Sequence, residues 1–193
     1  VPVNVNYRYV EDELQYLLND ADVKAIIIKQ QFGPLIKKKK KKLPTLKHYI
    51  AMEDGSGASL AGLDCVDYGT VIAQQSDAPL NIERSGDDLY VLYTGGTTGM
   101  PKGVVWRHED VIMALGGGLD MTTGVPLASA EIMADRCAQP NAFAMRSLQL
   151  APLMHGAAQW GLLRALFEGG AVIFSDKKSF DADHVWQLVG KEK

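Results

Sequence analysis

The segment Tyr93-Thr94-Gly95-Gly96-Thr97-Thr98-Gly99-Met100-Pro101-Lys102-Gly103 holds three hydroxyls, three glycines and one ammonium in the nine residues from Thr94 to Lys102. Glycines permit positive φ and close backbone approach, so successive N–H groups can converge into a nest for an anion. The hydroxyls of Thr94, Thr97 and Thr98 can donate to phosphate oxygens or help hold Mg2+. Lys102 brings a point charge to a polyphosphate. Spacing excludes two known phosphate-binding patterns. The P-loop has Gly immediately before its lysine and Ser or Thr after it, whereas here Pro101 precedes Lys102 and Gly103 follows. The dinucleotide pattern G-x-G-x-x-G fails as well, because Gly95 and Gly96 are adjacent and no helix is expected from Gly99. A plain flexible hairpin is the competing reading, although such loops rarely need three threonines, three glycines and Pro-Lys-Gly together.

The elements around this loop must position it. Leu89 to Tyr93 read as an aromatic and β-branched strand that runs directly into the loop, and Val104 to Trp106 as the strand that leaves it. His108 to Leu115 read as a helix stopped by Gly116-Gly117-Gly118, which serves either as a simple stop or as a close backbone crossing. Upstream, Val10, Leu14, Leu17 and Leu18 fall on one helical face, with acidic residues in the first turn where the helix dipole favours them. Val23 to Ile28 predict a buried strand, Lys47 to Met52 another, and Tyr68 to Gln75 a short helix. Downstream come a short helix near Ala128 to Asp135 and a strand over Ser147 to Leu150. A helix around Ala158 to Phe167 follows, apolar almost all round and therefore expected to be buried. Ala171 to Phe174 predict a strand, and Ala182, Val185, Trp186 and Val189 an amphipathic helix. Alternating strands and helices with wholly apolar strands predict a layered α/β fold, its largely parallel sheet covered on both faces.

Composition bounds the function classes. The chain has 193 residues, 47% of them hydrophobic and 22% charged, as expected of a globular chain rather than a disordered one. No run reaches the ~18 apolar residues of a membrane span, and Val1-Pro2-Val3-Asn4 lacks the pattern of a signal peptide. Cys65 and Cys137 stand far apart, with no zinc or disulfide spacing. A cytoplasmic setting fits, with at most a peripheral membrane contact. Net charge is −3, but Lys37 to Lys42 are six consecutive lysines, and without them 14 basic groups face 23 acidic ones, or −9. The run reads as a solvated surface segment or an altered stretch. No aromatic or second basic cluster accompanies it, so nucleic acid is not an expected partner.

The segment YTGGTTGMPKGV resembles the phosphate-binding signature of the adenylate-forming superfamily, which includes acyl-CoA synthetases, luciferases and peptide-synthetase adenylation domains. VPVNVNYRYVEDELQYLL near the start, VVWRHEDV after the loop and APLMHGAAQW at Ala151 to Trp160 resemble bacterial fatty-acyl-CoA synthetases. The likeness is nearest to the actinobacterial type acting on long-chain or steroid side-chain acids. It covers nearly the whole chain apart from the lysine run. The resemblance implies a two-step reaction: a carboxylate attacks the α-phosphate of ATP to give acyl-adenylate and pyrophosphate, and the thiol of coenzyme A then displaces AMP. It assigns Thr94, Gly95, Gly96, Thr97, Thr98, Gly99 and Lys102 to the β- and γ-phosphates, with Thr94 and Thr98 near Mg2+. It sets His155 and Gly156 beside the acyl-adenylate and Trp160 near the acyl tunnel.

Each assignment has a structural counterpart. His155 can cap the helix that follows, Trp160 can be core packing, and Arg107 with His108 can cap the helix after the loop. Asp87 and Asp88 are read as a polar turn. The resemblance also implies features outside residues 1–193: a Tyr-Gly-x-Thr-Glu segment whose glutamate helps bind Mg2+, an aspartate for the ribose, and a mobile C-terminal lid with the adenylation lysine. Residues 1–193 are therefore expected to be a fragment of the N-terminal AMP-binding domain without the lid, inactive alone. Its partners would be a small-molecule carboxylic acid, ATP and coenzyme A, with a homodimer left open. The alternatives are another adenylate former acting on aryl or amino acids, or a non-catalytic nucleotide-binding module.

Overall fold

The computed structural model describes residues 1–95, 99–120, 123–177 and 179–192. The chain divides into two compact units, one built from Tyr7–Glu83 and Gly95–Gly103, the other from Val1–Asn6, Arg84–Thr94 and Val104–Lys193.

The first unit opens with α1 (Glu11–Asp20), whose Leu14, Leu17 and Leu18 are buried. Val10 belongs to the same sequence stripe but is exposed at the N-cap position. It has no side-chain acceptor, so only half of a capping box forms: Glu13 Oε2 accepts from the Val10 N–H at 3.1 Å. β1 (Ala25–Lys29), β2 (His48–Met52) and β3 (Val66–Asp67) form a three-stranded parallel sheet in the order β1-β2-β3, with Ile26 opposite Tyr49 and Ile28 opposite Ala51. These four residues are buried, whereas Ile27 is 57% exposed. The strand therefore alternates, and the expected burial of both faces is corrected to one.

The lysine run lies at the surface as expected, with Lys37, Lys38, Lys41 and Lys42 exposed, and it is regular structure. α2 (Gly33–Lys39) carries its first three lysines and a 3-10 turn its last three. Lys38 pairs with Glu11 at 2.9 Å, Lys39 with Asp12 at 2.8 Å, and Lys40 with Asp64 at 3.1 Å. Lys39 is itself buried. The first turn of α1, made acidic by its dipole position, is thus the counter-charge that fastens α2 to it. Hydrogen bonds from Lys38 and Lys39 hold the Glu11 and Asp12 carboxyls below their ordinary range, and Asp12 holds the Lys39 ammonium above its own. α3 (Tyr68–Ala73) closes the unit's helices, capped by Asp67, whose side chain accepts from the Thr70 N–H at 2.7 Å.

In the second unit, Val3 makes a parallel bridge to Val91 of β4 (Leu89–Thr94). β4 forms a two-stranded sheet with β5 (Lys102–Arg107), which leads into α4 (His108–Leu115). Gly117 follows at φ +72°, so the glycine triplet includes a left-handed stop. α5 (Ala130–Cys137) is followed by β6 (Arg146–Gln149), α6 (Gly156–Phe167) and β7 (Ala171–Phe174). β6 and β7 pair in parallel, with Arg146 opposite Ala171 and Gln149 opposite Phe174, and α6 is the crossover between them. A Cβ at Gly170 would run into the Met145 carbonyl oxygen, so only glycine lets the chain turn this tightly into β7.

One burial expectation fails here. Only Ala158 and Ala165 of α6 are buried, and Leu166 is exposed, so the helix is covered on one stripe rather than all round. α7 (Ala182–Lys191) is amphipathic as predicted, yet Trp186 on its apolar face is 72% exposed. Among the described residues no helix is long and apolar enough to cross a membrane.

Candidate nucleotide and acyl site

β4 ends at Thr94 and β5 begins at Lys102, so the glycine- and threonine-rich loop is the connection between two paired strands. Gly96, Thr97 and Thr98 lie outside the described residues. On either side of them the loop is open: a Cβ added at Gly95 or Gly99 would meet nothing within 4 Å. These glycines are not required by packing against the protein. Their surroundings leave room for close approach to a ligand. Pro101 is fully buried and anchors the returning limb, while Lys102 next to it is exposed.

The opposite end of the strand pair is held by a charge cluster. Arg107 Nε donates to Asp87 Oδ1 at 2.8 Å and Nη2 to Glu109 Oε2 at 2.7 Å, with Asp110 at 3.5 Å. These partners hold the guanidinium above its ordinary pKa, Asp87 most strongly. The His108 N–H donates to the Asp88 carbonyl at 2.7 Å, and the Glu109 N–H to that of Gly86 at 3.1 Å. Asp87 and Asp88 do form a turn, in which Asp88 Oδ2 accepts from the Ser85 N–H. The capping role expected of Arg107 is corrected: it occupies the N-cap position of α4 but its side chain makes no cap bond. It pins the strand ends by ion pairing instead.

The acyl-side candidates gather at the start of α6. His155 is the N-cap residue of this helix and is exposed; its imidazole makes no cap bond, although its carbonyl accepts from the Gln159 N–H at 3.2 Å. The side-chain capping alternative therefore fails. Gly156 starts the helix against β4. A Cβ there would fall 2.7 Å from Leu92 Cδ2 and 3.5 Å from the Trp160 ring carbons. The Trp160 indole meets that of Trp106 edge to face, with centroids 6.5 Å apart and planes at 75°. The Tyr90 hydroxyl donates to Gln159 Oε1 at 2.5 Å, and Gln159 Nε2 donates to the Leu153 carbonyl at 2.7 Å, which also accepts from Asn4 Nδ2 at 2.9 Å. Burial pushes the Tyr90 phenol up in pKa.

Gly156 and Trp160 are thus brought together with Tyr90, Leu92 and Trp106, residues not singled out from the sequence. One signal was present. Tyr90, Leu92 and Thr94 alternate along β4 and share a face, so whatever covers Tyr90 and Leu92 lies on the side to which Thr94 belongs. Among the described residues no group of three His, Cys, Asp or Glu can hold a metal ion.

Two paired strands joined by a glycine- and threonine-rich connection, with a parallel β-α-β unit after them in sequence, are a mixed α/β arrangement with parallel strand pairing. The family profile for AMP-binding enzyme matches residues 1–193, and the chain belongs to that family. It is 42% identical over 194 residues to the medium-chain acyl-CoA ligase Mig of Mycobacterium avium and 38% identical over 193 residues to the 3-oxocholest-4-en-26-oate–CoA ligase of Rhodococcus rhodochrous. Each match takes in 100% of this chain and 34% of the relative. The chain therefore spans about a third of the length of the curated relatives it matches. The N-terminal domain of FACL13 from Mycobacterium tuberculosis superposes over 98% of this chain and 41% of that one, with a TM-score of 0.67 and 25% identity.

Proposed function

We propose that the chain supplies the ATP phosphate-binding loop and part of the acyl pocket of an enzyme that activates a fatty or steroid side-chain acid, first to acyl-adenylate and then to acyl-CoA. The open loop between β4 and β5, at a segment whose hydroxyls, glycines and lysine suit a polyphosphate, carries this reading. The family membership and the two ligase relatives support it.

Backbone N–H groups from Gly95 to Gly99 and the hydroxyls of Thr94, Thr97 and Thr98 donate to the β- and γ-phosphate oxygens. Lys102 neutralises charge that grows on pyrophosphate as the α-phosphorus–oxygen bond breaks. Catalysis here is positioning and charge stabilisation. Thr94 and Thr98 would offer hydroxyl oxygens to an Mg2+ ion, which would shield the phosphate charge when bound. His155 and Gly156 flank the adenylate, and Trp160 meets the acyl chain. Coenzyme A is the second-step substrate. The reading places the reaction in the cytoplasm, with membrane contact peripheral at most.

The test is carboxylate-dependent ATP–pyrophosphate exchange without coenzyme A, using residues 1–193 joined to the remaining two thirds of the Rhodococcus ligase. A panel of fatty, steroid, aryl and amino acids is assayed beside a Lys102→Ala control. Exchange driven by an apolar acid and weakened by the substitution is expected. Exchange unchanged by Lys102→Ala would overturn the loop assignment, and exchange driven only by aryl or amino acids would overturn the substrate class.

A further inference from the structure

We infer that Gln159, oriented by Tyr90, and Asn4 are positioning residues that clamp the Leu153 carbonyl and so fix the turn presenting His155 to the adenylate. This rests on the placement of His155 proposed above. The turn is closed by the His155 N–H, which donates to the Pro152 carbonyl at 3.0 Å. Inside it, the Leu153 carbonyl accepts twice, from Gln159 Nε2 at 2.7 Å and from Asn4 Nδ2 at 2.9 Å. A carbonyl can only accept, so the amide nitrogen of Gln159 must face it, which turns Oε1 toward Tyr90 and makes the phenol the donor, at 2.5 Å. Gln159 therefore has one orientation that satisfies both neighbours.

Both arms of the clamp lead back to adjacent residues of one strand. Gln159 is held by Tyr90 of β4, and Asn4 follows Val3, which bridges Val91 of β4. All of these residues belong to the second unit. Thr94, at the end of the same strand, opens the phosphate loop. The turn that carries His155 is thus referenced twice to the strand that feeds the phosphates. The clamp acts on the backbone, and the His155 imidazole makes no cap bond to α6, so the side chain is not used to shape its own turn.

The decisive substitution is Gln159→Glu. As a carboxylate, the introduced group accepts from Tyr90 but cannot donate to Leu153. Protonated, it offers one oxygen to accept and one O–H to donate, as the amide does. The turn should loosen at about pH 8 and recover as pH falls toward the ordinary glutamate value of about 4.3, which the facing carbonyl raises. The Tyr90 phenol, pushed up by burial, stays protonated throughout. In the 193-residue chain, hydrogen-exchange protection of the His155 amide should fall about fivefold at the higher pH, the order of one hydrogen bond, and return at the lower. Tyr90→Phe should lower it with no recovery, and Asn4→Ala, which removes the other donor, serves if Gln159→Glu does not fold by circular dichroism. With the chain joined to the rest of the Rhodococcus ligase as above, kcat of ATP–pyrophosphate exchange should fall and recover with the same midpoint, normalised to the unsubstituted protein, while KM for ATP stays constant. Unchanged protection in Gln159→Glu and Asn4→Ala would overturn the clamp. A loosened turn with unchanged kcat would overturn its positioning role. If the unsubstituted joined protein gives no exchange, or His155→Ala leaves exchange unchanged, the adenylation reading of His155 fails instead, and the protection still decides the clamp.

Discussion

Three glycines lie within helices of the second unit, and the space beside each sets a different outcome for the same substitution. At Gly190 of α7 an added Cβ meets nothing within 4 Å. Gly190→Ala should therefore stabilise the chain by about 0.4–1 kcal/mol, because it restricts the unfolded chain at no steric expense. At Gly161 the Cβ would lie 3.2 Å from Gln149 Nε2, whose amide donates to Ser147 Oγ at 2.7 Å, so the gain is offset as that side chain gives way. At Gly156 the Cβ would lie 2.7 Å from Leu92 Cδ2, and Leu92 is 3% exposed, leaving its methyl nowhere to move. Overpacking of this kind costs about 1–3 kcal/mol, against the same backbone gain of about 0.4–1, for a net loss near 1 kcal/mol. Urea unfolding at constant slope gives the three values. The cause is isolated by repeating Gly156→Ala in a Leu92→Ala background, where the two changes should couple favourably because the obstructing methyl is gone. Gly156→Ala as stabilising as Gly190→Ala, or equally harmful with and without Leu92, would refute the close approach of α6 to β4.

Leu17→Ala, at a fully buried site, should destabilise the first unit by about 2–5 kcal/mol, measured by urea unfolding. Trp186→Gln should change stability by less than about 0.5 kcal/mol, because 72% of that residue is in contact with solvent; a larger loss would mean that α7 is covered within the chain. The Lys38–Glu11 and Lys39–Asp12 pairs make stability depend on pH at both ends. Glu11 and Asp12 have lowered values in the fold, so their contribution is complete above the ordinary carboxylate value of about 4 and disappears as pH falls through the lower folded values. Lys39 has a raised value, so its contribution is complete below the ordinary lysine value of about 10.4 and disappears as pH rises through the higher folded one. Asp12→Asn should flatten the acid limb of the urea midpoint plotted against pH, and an unchanged limb would count against the pair.

Local pattern made most elements legible. His108–Leu115 and Ala171–Phe174 form over the residues the periodicity predicted, because a glycine stop ends the first and a Gly-Gly turn opens the second. Burial was less legible, since it depends on what else packs nearby. Ile26, Ile27 and Ile28 look alike in the sequence, yet only the first and third point into the first unit's core. The lysine run was half legible for a related reason. Its surface position was read locally, but its counter-charges, Glu11, Asp12 and Asp64, are more than twenty residues away, so the pairing was not. Of the candidate site, the loop was visible because its chemistry is contiguous. Tyr90, Trp106 and Gln159 were not, because they meet only when β4, β5 and α6 are assembled.

That assembly explains why the two halves of the proposed chemistry occur on one short piece of chain. β4 alternates, so Tyr90, Leu92 and Thr94 project to one side. Tyr90 and Leu92 are taken up by the first turns of α6, through Gln159, Trp160 and the space kept open at Gly156. Thr94 is the next residue in the same row, and it opens the loop. A displacement of α6 along the strand therefore moves Gln159 and Trp160, on the proposed acyl side, relative to Thr94, on the proposed phosphate side, by the same amount. An in-line attack of a carboxylate on a phosphate tolerates errors of only about 1 Å before the rate falls. A rigid shared strand meets that tolerance better than two independently placed loops.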